Sequence, residues 1–331
     1  MKRIFVSFFS VALSVPAFAQ EAKPPIATIE FVSDELNKVF DKDAKVEIVA
    51  DGFQFTEGPL WVEKEKMLLF SDVPANTIYK WTEAKGKEVY IKPSGYTAPE
   101  SRGGFMGSNG LALSTDGKLL ICQHGDRRVA RMDAPLNAPQ SKFVSVTAEY
   151  NGKKINSPND LLVMPNFDVY FTDPAYAFER GANDPKKETA FQGVYKVNKA
   201  GQITLLVDSI EAPNGIGLMP DKKTMIVSNS DGRKKRWYAY DVASNGTLSN
   251  GRVFYDVSDQ RGQGGCDGLK IDKSGNLFAT GPGGIYIVNK SGNLIGRIRV
   301  NGVPAANLAF TPNEKTLFIT AGTYLLRVKL R

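Results

Sequence analysis

Six short stretches of the chain begin with an oxygen-bearing polar side chain and continue into an apolar run. The stretches are EGPLWV from Glu57, NGLALS from Asn109, NDLLVM from Asn159, NGIGLM from Asn214, DGLKID from Asp267 and NLAFTP from Asn307. Four of these polar residues precede glycine, Asn159 precedes aspartate, and Asn307 has neither neighbour. Carboxylate and amide oxygens are the ligands that hard divalent cations prefer. If these side chains meet in the fold, they could bind such a cation.

The same stretches form a repeat, because a second apolar run ends in a small residue 13 or 14 positions after each polar residue. These small residues are Ser71, Cys122, Thr172, Ser228, Thr280 and Thr320. Successive repeats begin 40 to 55 residues apart. A sixfold repeat of this period is typical of radially packed or stacked units.

Each repeat reads as short strands separated by turns. In the first repeat we predict strands at 58–62, 66–71, 76–81 and 87–91. In later repeats, Gly117, Gly275 and Gly292 predict turns because glycine accepts a positive φ without steric cost. One such sheet cannot bury both of its faces, whereas six sheets packed radially can. The amphipathic helices that a TIM barrel would require between its strands are missing from the repeats. The sequence therefore predicts an all-β, six-bladed β-propeller.

In a propeller the innermost strand of each blade lines a central channel, so the six polar residues are expected to converge at one end of the axis. Asn or Asp before Gly is also a common turn device, and that alternative applies to each of them singly. Turn formation does not explain Glu57, which precedes Gly-Pro. Two carboxylates with several amide oxygens predict a site for one divalent cation. Oxygen ligands favour calcium, with magnesium, manganese and zinc as the alternatives.

The ends of the chain suggest an exported protein with a closed ring. Residues 1–19 contain Lys2-Arg3, an apolar run and Ala17-Phe18-Ala19, the pattern of a cleavable signal peptide. Residues 20–44 read as a charged, irregular leader with a short helix at SDELNKVFDK, and 45–331 as one propeller domain. The strand predicted at 45–53 would supply the fourth strand of the short last repeat and close the ring from N to C terminus. We expect a periplasmic or secreted protein.

The composition of the chain limits the classes of molecule that the protein is expected to bind. The formal net charge is +7, and the basic residues do not form a nucleic-acid motif with interleaved aromatics. The N-terminal apolar run is shorter than a membrane span, and no second long run follows it. We therefore expect a small-molecule substrate, no nucleic acid and no membrane span, and a monomer or weak homo-oligomer. Cys122 takes the place of Ser or Thr in the repeat and Cys266 belongs to a distant blade, so we predict two free thiols.

His124, the only histidine, lies just after the second strand of the second repeat. It could serve as a general base, since its ordinary pKa suits neutral chemistry, or as a hydrogen-bonded structural residue. Three long polar loops, 93–108, 175–189 and 256–265, are expected at the channel mouth, where substrate selection usually lies. Their candidate wall residues are Tyr96, Arg102, Phe105, Tyr176 and Phe178.

Seven motifs, in order, resemble the gluconolactonase–regucalcin family, specifically its exported bacterial gluconolactonase-like branch. They are EGPLW, FSDVPANTIYKW, CQHGDRRVAR, NSPNDLLV, YFTDPAY, APNGIGL and CDGLKID. The resemblance implies a six-bladed propeller with one divalent metal in the channel, and Glu57, Asn214 and Asp267 as direct ligands. It also implies that Asn159 contacts the metal, its water or the substrate, and that Asp267 accepts and donates the proton. Ser157 stands where animal members carry a sugar-binding arginine, so we expect this chain to bind its substrate differently.

These arguments predict metal-dependent hydrolysis of a cyclic ester, such as gluconolactone or another sugar lactone, by an activated water. Asp267 or a neighbour would take the water proton, and Asp267 or His124 would return a proton to the leaving alkoxide. Asn109 and Asn307 are further candidates for substrate or outer contacts, with Arg102 on the rim. The alternatives are a phosphotriester hydrolase on the same metal site and a non-catalytic periplasmic binding propeller.

Overall fold

The computed structural model describes residues 25–100 and 105–331. Two strands precede the repeats, β1 (Ala27–Phe31) and β2 (Val46–Asp51), with a 3₁₀ helix at Asp34–Lys38 between them. The first blade contains β3 (Thr56–Val62), β4 (Met67–Asp72), β5 (Thr77–Thr82) and β6 (Gly86–Ile91). The second contains β7 (Ser108–Leu113), β8 (Leu119–Gln123), β9 (Arg128–Met132) and β10 (Phe143–Thr147), and a separate hairpin follows, β11 (Glu149–Tyr150) and β12 (Lys153–Lys154).

The remaining four blades follow in chain order. The third contains β13 (Leu161–Val163), β14 (Val169–Asp173), β15 (Gly193–Val197) and β16 (Ile203–Val207), and the fourth β17 (Pro213–Leu218), β18 (Thr224–Asn229), β19 (Arg236–Val242) and β20 (Leu248–Asp256). The fifth contains β21 (Leu269–Ile271), β22 (Leu277–Gly281), β23 (Gly284–Val288) and β24 (Leu294–Val300), and the sixth β25 (Ala305–Phe310), β26 (Thr316–Ala321) and β27 (Tyr324–Lys329). Two further 3₁₀ turns lie at Glu63–Glu65 and Gly181–Asn183. No helix in 25–100 or 105–331 is long and apolar enough to cross a bilayer.

Every blade is an antiparallel sheet whose strands follow one another from the axis outwards, which confirms the predicted six-bladed propeller. The four strands predicted for the first repeat agree with β3 to β6 to within two residues at each end. The predicted turn residues Gly117 and Gly275 have φ values of +78° and +86°, which explains why glycine is needed there.

The ring is closed by the N-terminal segment. Strand β2 pairs antiparallel with β27, for example Val46 with Val328, and becomes the outer strand of the sixth blade. This is the closure predicted from the sequence. The preceding leader was expected to be irregular, but its residues Ala27–Phe31 form β1, which pairs with β24 and adds a fifth strand to the fifth blade.

The core is divided among the blade interfaces. Six buried apolar clusters each join two neighbouring blades, since blade faces that alternate inward and outward can be buried only against the next blade. At the joint between the sixth and first blades, the rings of Trp61 and Phe318 stack at 5.6 Å. This packing fixes the inner strands relative to one another, and therefore fixes the channel.

Candidate active site

The small residues that end the second strands position the polar residues of the neighbouring blades. The hydroxyl of Ser71 donates to the backbone carbonyl of Asn109, at 2.8 Å. In the same way Thr172 donates to the Asn214 carbonyl and Ser228 to the Asp267 carbonyl, each at 2.6 Å. All six of these small residues are fully buried. The repeated Ser or Thr is therefore a hydrogen-bond donor that holds the next inner strand.

Glu57 and Asp267 meet in the channel, although they belong to the first and fifth blades. Burial raises the pKa of Glu57 from 4.5 to about 7, and the charge of Asp160 acts in the same direction. Burial, followed by the charge of Glu57, raises the pKa of Asp267 well above its ordinary 3.8. The cation-free pair therefore retains a proton near neutral pH, because desolvation disfavours the charged forms and the two adjacent carboxylates repel each other.

The amide of Asn214 is held by two neighbours and leaves one oxygen without a partner. Its Nδ2 donates to the hydroxyl of Tyr176 at 3.3 Å and to Ser230 Oγ at 3.2 Å. Ser230 Oγ in turn donates to the carbonyl of Cys266. With both amide hydrogens directed at these groups, Asn214 Oδ1 is buried and has no hydrogen-bond partner among the described residues.

Two more oxygens in this part of the channel are buried without a partner in the described residues, Asn109 Oδ1 and Asp267 Oδ1. Asn159 is also buried, and its carbonyl accepts from Gly110 N at 2.7 Å. Buried polar atoms without partners are rare and call for a bound water or ion. These oxygens belong to the set of residues predicted from the sequence.

The sixth repeat differs from its prediction by one residue. Thr280 donates to the carbonyl of Ala306, as Ser228 does to that of Asp267, so Ala306 occupies the repeated position. Asn307 lies one residue further on, and pairs with Thr320 across a β-bulge after Ala305. The expectation that Asn307 is the sixth equivalent side chain is therefore wrong. Its side chain still reaches the channel, where Nδ2 donates to Glu57 Oε2 at 3.2 Å.

Asp160 is a channel residue that the sequence argument did not select. It is buried, its carboxylate lies beside Glu57, and Asn307 Nδ2 approaches its Oδ2 to 3.5 Å. The signal was present in the sequence, because Asp160 stands where four of the repeats carry glycine. A carboxylate in a glycine position indicates a role other than a turn.

His124 makes its described contacts with Phe105 and Tyr176 rather than with the carboxylates. Its Nδ1 is 3.3 Å from the carbonyl of Phe105, and its ring centroid is 6.5 Å from that of Tyr176. Burial lowers its pKa to about 4, so the ring is neutral at physiological pH. The Nε2 atom is buried without a partner among the described residues. Within those residues no hydrogen bond links His124 to Glu57 or Asp267, so its suggested part in proton transfer stays a prediction.

The residues predicted to line the channel mouth differ in where they lie. Arg102, predicted to bind substrate, lies outside the described residues. Tyr176 faces the channel through its bond to Asn214, whereas Phe178 packs beneath the guanidinium of Arg127 at 5.0 Å. Both cysteines are buried and free, as predicted.

The donor set fits a hard divalent cation. The two carboxylates and the amide of Asn214 lie together in the channel, Asn214 Oδ1 and Asp267 Oδ1 lack partners among the described residues, and the carboxylates repel each other without a positive charge between them. In 25–100 and 105–331, three or more His, Cys, Asp or Glu side chains do not gather as a metal site. A cation would therefore depend on asparagine oxygens in addition to Glu57 and Asp267.

Comparison with known proteins assigns the fold and its residues to a family. Residues 55–323 match the SMP-30/Gluconolactonase/LRE-like region. The chain belongs to this family. It is 36% identical to a gluconolactonase from Zymomonas mobilis subsp. mobilis, over 98% of this chain and 94% of that protein.

Solved structures of the family are similar as well. A gluconolactonase from Xanthomonas campestris has a TM-score of 0.80 and 27% identity, over 95% of this chain and 98% of that one. A calcium-binding protein named regucalcin from Agrobacterium tumefaciens has a TM-score of 0.67 and 19% identity, over 86% and 93% of the two chains. This second likeness concerns the fold alone.

Proposed function

We propose that this protein is a lactonase that hydrolyses a sugar lactone, with Glu57, Asn159, Asn214 and Asp267 holding one divalent cation, calcium in the first instance. The observation that carries the proposal is the pairing of the buried Glu57 with the half-buried Asp267, together with buried amide oxygens that lack partners among the described residues. The gluconolactonase that is 36% identical over nearly the whole chain supports the reaction class.

A bound cation would polarise the lactone carbonyl, lower the pKa of a nearby water and balance the charge of the two carboxylates. Asp267 takes the proton of the attacking water, since burial raises its pKa above the ordinary value and it has an oxygen without a partner among the described residues. The same carboxyl then returns the proton to the ring oxygen that leaves, so water is added overall and a hydroxy acid is formed. Asn214, held by Tyr176 and Ser230, keeps its oxygen directed into the channel.

Substrate contacts are assigned to the rim. Asn109 Oδ1 is an acceptor for a sugar hydroxyl, and Arg102 is proposed as a second contact that donates to the substrate. His124 is neutral and has a free acceptor nitrogen, so a contact with a substrate hydroxyl suits it better than the transfer of a proton at neutral pH. We further propose that residues 1–19 direct export to the periplasm or the medium.

Hydrolysis of D-glucono-1,5-lactone, followed by acid release, tests the proposal. Activity should disappear with a chelator and return with Ca²⁺ or another divalent ion. Asp267→Asn should lower kcat by at least ~100-fold, the minimum usually lost with a general acid–base group, while the circular dichroism spectrum stays unchanged. Equal activity in Asp267→Asn, or full activity in chelator, would contradict the mechanism. A panel that includes an aryl phosphate triester separates lactone from phosphoester specificity.

A further inference from the structure

Directly beyond the Glu57–Asp267 pair, the channel contains a second layer of polar side chains that the proposed mechanism does not use. Asp160 and Asn307 occupy equivalent positions in the third and sixth blades, which face each other across the axis. In each residue Oδ1 accepts the backbone N–H of the next residue, Leu161 or Leu308, at 2.9 Å. The two side chains therefore have the same fixed conformation and meet in the channel.

The amide of Asn307 links this layer to Glu57. Its Nδ2 lies 3.2 Å from Glu57 Oε2 and 3.5 Å from Asp160 Oδ2, so its two hydrogens have one acceptor each. Glu57 Oε2 also accepts the Gly58 N–H at 2.8 Å. Two donors thus fix one carboxylate oxygen of Glu57 and determine where its other oxygen lies.

Lys270 is the cationic member of the layer. It stands three residues after Asp267, where the other five blades carry small or aliphatic residues: Leu60, Ala112, Leu162, Gly217 and Ala309. Its Nζ is 3.8 Å from Asp160 Oδ2 and 3.5 Å from Asn307 Oδ1. The side chain of Asp160 is only 4% exposed, and a buried carboxylate is costly unless it is paired. Lys270 supplies that pairing and also holds the oxygen end of the Asn307 amide.

The backbone leaves room for this arrangement. A Cβ atom on Gly268 would lie 2.0 Å from Asn307 Cγ, so the side chain of Asn307 occupies space that only glycine leaves open. Asp160 Oδ1 would be 3.0 Å from a Cβ on Gly110. The layer is therefore a built feature of the inner strands.

We propose that Lys270, Asp160 and Asn307 are positioning residues that orient the Glu57 carboxylate towards the cation. Lys270 fixes Asp160 and the Asn307 oxygen, and Asn307 then presents its N–H to Glu57 Oε2. This inference rests on the proposed function, since it concerns the same cation. Groups that orient metal ligands change metal affinity by about 10- to 100-fold when they are removed.

Lys270→Met gives the sharpest test, because two explanations of the role of Lys270 predict opposite changes in Ca²⁺ affinity. If Lys270 acted only through its charge, removing a positive charge near the site would tighten Ca²⁺ binding. If it positions Asn307 and Asp160, its removal weakens binding by about 10-fold, measured by calorimetry on chelator-treated protein. Lys270→Arg should restore most of the affinity. Asn307→Ala changes no charge and should weaken binding by about 10- to 100-fold.

Lys196→Met is the matched control, since Lys196 forms an ion pair of the same 3.8 Å length with Asp168 outside the channel. It should lose some stability and keep its Ca²⁺ affinity. Unchanged or tighter Ca²⁺ binding by Lys270→Met would overturn the inference while leaving the proposed function intact. The failure of the proposed function is seen separately, in wild-type protein that neither binds Ca²⁺ nor hydrolyses lactone.

Crystal structures of the cation-free wild type and Asn307→Ala give a measurement that does not depend on any bound ion. In Asn307→Ala we expect the Glu57 carboxylate to be rotated away from its wild-type position. A Glu57 side chain that stays in place would overturn the inference even if the wild-type protein proved to bind no cation.

Discussion

Replacing Glu57 with glutamine should stabilise the cation-free protein at neutral and alkaline pH. Glutamine keeps the shape of the side chain, and its oxygen can still accept the N–H groups of Gly58 and Asn307. It removes the ionisable group whose pKa is raised by burial to about 7. It also removes the negative charge that opposes ionisation of Asp267.

The direction of this stability change follows from proton linkage. Below pH 4.5 Glu57 is protonated in both the folded and unfolded states, so its titration has no effect on stability. Between pH 4.5 and about 7 the unfolded state loses the proton and the folded state keeps it, so wild-type stability falls. One pKa unit corresponds to about 1.4 kcal/mol, so the loss above pH 7 from Glu57 is about 3 kcal/mol.

Urea unfolding in chelator measures this difference. Glu57→Gln and wild type should differ by less than about 1 kcal/mol at pH 5, and the variant should be more stable by about 3 kcal/mol at pH 8. Saturating Ca²⁺ should reverse the order, because the wild type binds it and the variant lacks a ligand. Glu149→Gln, on the exposed β11–β12 hairpin, should match the wild type at both pH values. A stability difference that does not change with pH would refute the reasoning.

Three further outcomes follow from buried groups of the site and core. The proton NMR signals of His124, the only histidine in the chain, should not shift between pH 8 and 5.5, because burial lowers its pKa to about 4; a midpoint near 6.5 would contradict this. Cys122 and Cys266 should react with a thiol reagent only after unfolding, with two thiols per chain, whereas fast labelling of the native protein would show that the cores open. Tyr176→Phe removes an acceptor from the Asn214 amide and should weaken Ca²⁺ binding by about 10-fold in calorimetry, and an unchanged affinity would show that Ser230 alone orients that amide.

The architecture could be predicted because its signals are local and repeated. Gly117 and Gly275 mark turns by their positive φ, and the alternation of short apolar runs marks the blades. The closing strand near Val46 was predictable because the last repeat was too short by one strand. The convergence of Glu57 with Asp267 followed from placing the repeated residue on the inner strand.

The remaining features depend on contacts between distant parts of the chain. Strand β1 is an addition to one blade, and no repeat requires it. The one-residue displacement of Asn307 results from a β-bulge after Ala305, and the short NL motif gives no sign of it. The roles of Asp160 and Lys270 become visible only when the third, fifth and sixth blades are placed around one axis.

The closure of the ring joins the two blades whose carboxylates meet in the channel. Glu57 and Asp267 lie in the two blades that flank the sixth blade, and that blade is complete only when β2 pairs with β27. When both carboxylates are ionised without a cation between them, their repulsion acts between the first and fifth blades and therefore across this junction. Arg331 donates to the carbonyls of Asn37 and Val39, which adds a contact between the sixth blade and the segment that precedes β2. A divalent ion shared by the two carboxylates would turn that repulsion into attraction, and cation binding would then strengthen the contacts that close the ring.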